Sequence, residues 1–459
     1  MRETPLSKLG ESRVLRAFMP IINAHNEQVA AAARQAGHIE PLEVGPGDDC
    51  AVLAAPAPGQ RTVVTTDTLV EDQDFMNLWP GGIAQVTEGG EFILEPARSS
   101  GYDVGRKAAT QNLADVAAMG ARPASLFISL SLPGSTPYGW IDGFAHGIVD
   151  GINACGATEC VIGGGDIGDS TEMSVTVTAL GYTDRAVLRS GARPGDTIAL
   201  AGRTAWSDAG LRLLLNPLSL PATALLRAIA AGQDVEVALD AVAQAWAKKQ
   251  AEKHPEKQGQ EQSEGSAVAL PEGLIELART LSPEDAAHML AVCERAVDSQ
   301  HHPVSPIPAG EVARQHRASS MLDLSDGLVK DAGRVAAASG VQMRLDRAAV
   351  DAFAEPLLPL ARLLLAIGER NEAGESPASL ARTFVLVGGE DHGLLATFPG
   401  EVPEEFVPLG TCVADAPERG LSAELYGAER RHNAVTGAAV VMDGRSLDGM
   451  GWEHYGASA

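Results

Sequence analysis

The stretch "RTVVTTDTLV", residues 61–70, decides how this chain is read. Its β-branched density specifies a strand whose later part carries Thr65, Thr66 and Asp67. Residues two apart in a strand share a face, so Thr65 and Asp67 present a hydroxyl and a carboxylate together. Upstream, residues 9–36 read as a helix with Val14, Leu15, Phe18, Ile21 and Ile22 on its apolar side. Between helix and strand, "GPGDDCAVL" (45–53) turns into an apolar run behind the adjacent acids Asp48 and Asp49.

Downstream the pattern alternates. Residues 76–100 show no clear period and read as a long loop. Asp103 is positioned to cap a helix through "VGRKAATQNLADVAAMG" (104–120), which Gly120 and Pro123 end. "ASLFISLSL" (124–132) and "EMSVTVTALGY" (172–182) are strands, and "WIDGFAHGIVDGINACG" (140–156) between them is helical and leads into a Gly-rich turn, "VIGGGDIG" (161–168). A second unit begins near "RPGDTIALAG" (193–202), with "LDLSDGLVKDAG" (322–333) and "TFVLVGGEDHGLLAT" (383–397) as later landmarks. The expected fold class is therefore α/β (α+β) in two domains. Their spans are 1–185 with a mixed sheet and 186–459, the latter interrupted by a flexible insertion around 215–310. Within that insertion, residues 246–266 are charged, Gln-rich and of low complexity.

Bulk properties bound the function. At 459 residues the chain exceeds one ordinary core, and 45% apolar with 21% charged residues describes a globular protein. A net charge of -25 excludes nucleic acid and anionic membranes as natural partners, although an acidic protein still binds phosphates where divalent cations bridge the like charges. The five cysteines (50, 155, 160, 293, 412) form no CxxC pair and read as free thiols. No apolar signal core and no run of about 20 apolar residues occur, so the expected location is the cytoplasm.

Acids recur where strands end or Gly-rich turns begin: Asp48 and Asp49, Asp67, Asp166, and Asp323 with Asp326, while Asp115 sits inside a helix pattern. Each alone fits a local role, because Asp and Gly fill turns for backbone reasons. Together they form an oxygen-only set suited to magnesium, which relieves their mutual repulsion and leaves positions for phosphate oxygens. "LSDGLVKDAG" runs from strand to turn to helix; its helix start either receives an anion or is capped plainly by Ser325 or Asp326. No P-loop and no GxGxxG opening a helix is present. His301 and His302, beside a proline, read as loop surface, and Arg106 and Lys107 either neutralise phosphates or solvate a helix face.

In order, "GPGDDCAVL", "VVTTDTLVEDQDF", "GRKAATQNLADVAAMGARP", "GGGD", "LRSGARPGD", "LDLSDGL" and "GGEDHGL", with a weaker "GWEHY" near the end, resemble the thiamine-monophosphate kinase family. That family lies within the aminoimidazole-ribonucleotide-synthetase-like superfamily. The resemblance implies ATP-dependent phosphorylation of thiamine monophosphate with several Mg2+ ions, and a homodimer formed through the N-terminal strands. By position it implies Asp49, Thr65, Thr66, Asp67, Asp115, Asp166, Asp323 and Asp326 as metal ligands, with Asp67, Asp115 and Asp166 central to catalysis. Gly165, Asp166, Arg189 and Ser325 match ATP contacts, and Glu390 and Tyr455 match residues near the thiamine moiety. The chain departs from the family in having Asp74 where a substrate histidine is common, His392 where a tyrosine is common, and longer segments at 76–100 and 215–310. Alternatives are another superfamily ATP-dependent synthetase and a catalytically inactive Mg-nucleotide sensor. Of the adjacent acids, Asp49 is the expected ligand and Asp48 the turn former; Asp49→Asn should therefore lose magnesium-dependent activity far more than Asp48→Asn, and equal losses in a turnover assay would refute that division.

Overall fold

The computed structural model describes residues 2–9, 11–46, 50–253, 269–370, 376–414 and 440–447. Asp48, Asp49, Tyr455 and the greater part of the low-complexity run lie outside the described residues. From the amino terminus, α1 (Glu11–Ala36) leads through the paired short strands β1 (Leu42–Val44) and β2 (Val52–Leu53) to β3 (Arg61–Val70). The loop that follows holds only β4 (Gln85–Val86) and β5 (Phe92–Ile93). Then come α2 (Gly101–Ala118), β6 (Arg122–Leu132), α3 (Tyr138–Ala154), β7 (Val161–Asp169) and β8 (Ser174–Thr183).

The long strands make a mixed sheet in the order β3-β8-β6-β7, antiparallel except for β6 beside β7. Its two faces differ as the alternation in β8 requires. Val175, Val177 and Ala179 are buried in the core shared with α2 and α3, while Ser174, Thr176 and Thr178 stand half-buried on the opposite face. That opposite face is open. Val64 there is 64% exposed, and its hydroxyls bond each other across strands, Thr68 to Thr176 at 2.8 Å and Thr178 to Thr66 at 3.2 Å. Two details differ from the sequence expectation. Helix α2 is capped by Ser100, whose Oγ accepts from the Asp103 N–H while the Asp103 carboxylate accepts from the Ser100 N–H, so Asp103 completes the capping box from inside the helix. And "VIGGGDIG" is an edge strand, not a turn: glycine lets neighbouring backbones close, since a Cβ on Gly165 would lie 1.8 Å from the Ile128 carbonyl oxygen.

The second half contains β9 (Thr197–Ala201), α4 (Trp206–Leu215), α5 (Ser219–Ala230), α6 (Val235–Lys253), α7 (Glu272–Thr280), α8 (Pro283–His301) and α9 (Ile307–Gln315). It continues with β10 (Ser320–Asp323), α10 (Leu328–Ser339), β11 (Val341–Leu345), α11 (Arg347–Ala354), α12 (Leu358–Ala366), α13 (Pro377–Val387) and β12 (Leu394–Phe398). The strands β13 (Phe406–Ala414), β14 (Val440–Met442) and β15 (Arg445–Ser446) complete it. The sheet runs β10-β12-β9-β13-β11-β14-β15, antiparallel except for β11 beside β14. Both faces are covered, which is why β9 and β12 read as continuous apolar runs. Ile198 and Leu200 of β9 enter a helical core with α4, α5 and α8, whereas Ala199 and Ala201 enter the core of the first sheet.

The segment 215–310, expected to be a flexible insertion, is a packed helical layer over its described residues. Ala222, Ala224, Cys293 and Ala296 are completely buried in it, because the apolar faces of α5 and α8 have a sheet and α4 to cover them. No single described helix is long and apolar enough to cross a membrane; α4 with α5 passes on length and composition but is bent by 106° and lies in this core.

Helices α2 and α3 pack at backbone contact, where a Cβ on Gly147 would lie 2.1 Å from the Tyr102 carbonyl oxygen. Gly147→Ala should therefore cost about 1–3 kcal/mol through overpacking, seen as a lowered urea midpoint at unchanged m-value.

Candidate functional site

Parity along β3 sorts the first predicted residues. Thr65 and Asp67 face α2: Thr65 Oγ1 donates to Asp115 Oδ2 at 2.6 Å, and the Asp67 N–H donates to Asn112 Oδ1 at 3.2 Å. Asn112 and Asp115 lie about one turn apart on α2, and Asn112 is itself held by donating to the Ala108 carbonyl at 3.0 Å. Thr66 takes the opposite face, where its hydroxyl donates to the Val177 carbonyl at 3.1 Å.

Asp323, at the end of β10, brings the third carboxylate. Burial first, then the Asp323 charge, pushes the Asp115 carboxyl up to about 6; the Thr65 hydrogen bond opposes this and Asp67 adds to it. Three acids from a strand, a helix and the other sheet thus repel one another across one space. His392 answers them. Its Nδ1 lies 3.1 Å from Asp323 Oδ2, and although burial opposes charge on the ring, Asp323, Glu390 and Asp115 raise its pKa.

The motifs "LDLSDG" and "GGEDHG" meet backbone to backbone. The Glu390 N–H donates to the Ser325 carbonyl at 3.1 Å, the His392 N–H to Leu324 at 3.2 Å, and the Leu324 N–H to Gly393 at 2.7 Å. Gly389 permits this closeness, since a Cβ there would lie 2.1 Å from the Ser325 carbonyl oxygen. Glu390 and His392 both hold positive φ, 65° and 53°. Three successive side chains therefore diverge. Glu390 accepts from Lys107 Nζ at 2.9 Å and from Gln300 Nε2 at 2.7 Å, and these contacts outweigh burial to keep it ionised. Asp391, buried, accepts from the Ser207 N–H at 3.1 Å in the first turn of α4. His392 turns to Asp323.

The remaining predicted residues lie around this group. The α10 helix starts at Gly327 without a side-chain cap, so neither Ser325 nor Asp326 acts as one. Asp326 instead pairs with Lys330 at 3.2 Å and with Arg334, which also bonds the buried Asp331 at 2.5 Å. Asp74 accepts from the Val70 N–H at 2.8 Å through its carboxylate, closing the turn after β3, and its carbonyl accepts from Lys107 at 2.8 Å. Arg189 is exposed, with its carbonyl 3.5 Å from Ser339 Oγ. Gly165 and Asp166 lie on β7, where the register Ser129–Asp166 and Ser129–Thr176 puts Asp166 on the open face with Thr68, away from Asp67. One chain thus brings together Thr65, Asp67, Asp115 and Asp323; Thr66 and Asp166 stand on the other side of the sheet.

Sequence reasoning missed several partners. Lys107 is buried, not solvating a helix face, and its signal was the small residues Gly105, Ala108 and Ala109 around it. His301 and His302 end α8 and are no surface loop. His302 Nε2 lies 2.6 Å from Asp103 and its Nδ1 2.8 Å from Asp298, which clamps α8 to the start of α2. Gln300 carried no signal at all.

Residues 47–183 match the family described as AIR synthase related protein, N-terminal domain, and the fold is the two-domain architecture of that class. The structure of AaThiL complexed with AMPPCP and TMP shares this fold at a TM-score of 0.53 and 22% identity, over 98% of this chain and 99% of that one. The thiamine-monophosphate kinase of Mycobacterium tuberculosis (strain CDC 1551 / Oshkosh) is 30% identical over 426 residues, 92% of this chain and 89% of that protein. That of Corynebacterium glutamicum is 29% identical over 367 residues, 79% and 80% respectively. The chain belongs to the thiamine-monophosphate kinase family.

The α8 clamp has a pH signature. Burial works against its charge, yet Asp103 and Asp298 raise the His302 pKa from 6.5 to about 9. The folded state thus holds this proton more tightly than the unfolded chain, and the stabilisation is complete below pH 6.5 and fades as pH rises through about 9. The stability gap between wild type and His302→Gln should accordingly be widest near pH 6 and shrink toward pH 9.5, read from urea midpoints; a gap independent of pH would refute the clamp.

Proposed function

We propose that this protein transfers the γ-phosphoryl group of ATP to the phosphate of thiamine monophosphate, giving thiamine diphosphate and ADP. The observation that carries this reading is the convergence of Asp67, Asp115 and Asp323 on one space, with the Asp115 carboxyl raised to about 6 by burial and its neighbours' charge. The donor set is all oxygen, with Thr65 as hydroxyl partner, and that chemistry fits Mg2+. Among the described residues no three His, Cys, Asp or Glu side chains are grouped closely enough to hold an ion by themselves, and Thr65 with Asp67, Asp115 and Asp323 are the residues that would hold it. Bound there, Mg2+ would neutralise charge on both sets of phosphates.

The chain's own groups do the rest. The acceptor is a phosphate oxygen, ionised near neutral pH, so it needs no strong general base. That oxygen attacks the γ-phosphorus in line, the bond from γ-phosphorus to the bridging oxygen breaks, and ADP leaves with the electron pair. The uncapped start of α10 offers backbone N–H groups to a phosphate, with Lys330 and Arg334 one and two turns on. Gly165, Arg189 and Ser325 serve the nucleotide in this reading, and Glu390 the thiamine moiety. Asp49 and Asp326 are retained as further metal ligands, whereas Thr66 and Asp166, on the opposite face of the first sheet, do not join this site. Asp74 shapes the wall beside Lys107, and Tyr455, outside the described residues, is assigned to the substrate by the resemblance alone. The open sheet face with Val64 supports a homodimer through the N-terminal strands, and cytoplasmic location follows from the substrates.

With thiamine monophosphate, ATP and magnesium, the protein should release ADP and thiamine diphosphate one for one, and none with aminoimidazole precursors. Asp67→Asn should lower kcat by about 100-fold or more at an unchanged melting temperature. Near-normal turnover would overturn the assignment, and nucleotide binding without ADP release would identify a sensor instead.

A further inference from the structure

The corner where β10 turns into α10 holds a carboxylate engaged twice over. Asp326 Oδ2 takes Lys330 Nζ at 3.2 Å and, on the same oxygen, the Arg334 guanidinium. The second arm of that guanidinium reaches Asp331 Oδ1 at 2.5 Å, and Asp331 Oδ2 accepts from the Asp326 N–H at 3.0 Å. Asp331 is fully buried, so it ties the backbone at Asp326 to α10 whichever way the outer side chains point. Asp326, Lys330 and Arg334 keep 13%, 19% and 32% of their side chains exposed, so ions in solvent reach them without the fold opening. Two acids and two cations thus balance here. Asp323, three residues before Asp326, belongs instead to the mutually repelling group with Asp115 and Asp67.

A divalent ion at Asp326 would meet these two side chains on the same carboxylate, and cations crowded on one carboxylate repel each other. Lys330 and Arg334 therefore hold Asp326 against a metal unless another anion draws them off. Both have long, flexible stems and the donor chemistry that phosphate takes: a point charge from lysine, a two-armed fork from arginine. They also rise from α10, whose uncapped first turn offers N–H groups to an anion. We propose that Lys330 and Arg334 are resident counter-ions of Asp326 that compete with Mg2+ for it, and that the nucleotide's phosphates release the carboxylate by taking the two cations for themselves. Metal and nucleotide then favour each other through Asp326, and each loads best in the presence of the other. This rests on the reading of the protein as an ATP-dependent kinase with Asp326 among its metal ligands.

The test reads metal and nucleotide binding separately. Mn2+, counted as free ion by electron paramagnetic resonance, is the metal probe, and the ATP analogue AMPPCP is the nucleotide. With Lys330→Gln and Arg334→Gln combined, Mn2+ without nucleotide should bind about 10-fold more tightly than to wild type, while AMPPCP at saturating Mg2+ should bind about 10-fold more weakly. The opposite signs are the signature, because a pair that merely fastens the start of α10 would leave both affinities alone or weaken both. Placed on Asp326→Asn, the same two substitutions should no longer tighten Mn2+ binding. Lys330→Gln alone, which keeps the Arg334 bridge to Asp331, should shift both affinities in the same two directions by a smaller factor, and it gives the reading if the double variant does not fold. Mn2+ binding no tighter than to wild type, or loss of both affinities together, overturns the exchange. Opposed shifts in a protein that makes no thiamine diphosphate from thiamine monophosphate would instead keep the exchange and sink the proposed function.

Discussion

Helix α2 has no solvent side, and that constraint organises the molecule. Thirteen of its eighteen residues are buried, between α3 and the first sheet on one flank and α9, β10 and β12 on the other. A helix enclosed in this way cannot carry a broad apolar stripe of large side chains, and eight of its eighteen residues are Gly, Ala or Thr. The polar residues it does carry must be satisfied inside the protein. Lys107 finds Glu390 and the Asp74 carbonyl, Asn112 finds Asp67, and Asp115 finds Thr65. The site is the set of partners those three residues demand.

Much of this was legible in the residues themselves. The β-branched run at 61–70, the alternation of 174–183 and the small-residue helix after Ser100 each declare their period, and the structure follows them. Parity along the strand also separates Thr66 from Thr65 and Asp67. Other features depend on distant backbone. Three glycines in "VIGGGDIG" are compatible with a turn until β6 lies close enough to need them, and the irregularity between Leu126 and Phe127 that sets the face of Asp166 has no local signature. The 215–310 segment reads as an excursion because its charged centre dominates its composition, although α5 and α8 on either side are core. Lys107, Gln300 and His302 join elements 283, 90 and 199 residues apart in sequence, beyond what periodicity can report.

The electrostatics are equally uneven. A chain with net charge -25 places its buried acids beside specific donors rather than beside one another wherever it can: Asp331 with Arg334, Asp391 with Ser207, Glu390 with Lys107. Asp67, Asp115 and Asp323 instead face one another, and His392 stands against them through Asp323. Buried like charges are costly to retain without a compensating partner. That cost is what separates a structural arrangement of acids from one arranged for ligands.

The hexapeptide Gly388–Gly393 reaches in three directions within three residues: to α2 and α8 through Glu390, to the start of α4 through Asp391, and to β10 through His392. Two of those residues sit in left-handed backbone that suits side chains poorly, and Gly389 tolerates nothing larger. Its length is therefore fixed as strictly as its chemistry. Adding or deleting one residue there would rotate every later side chain onto the wrong neighbour, so a single insertion or deletion would break all three attachments at once.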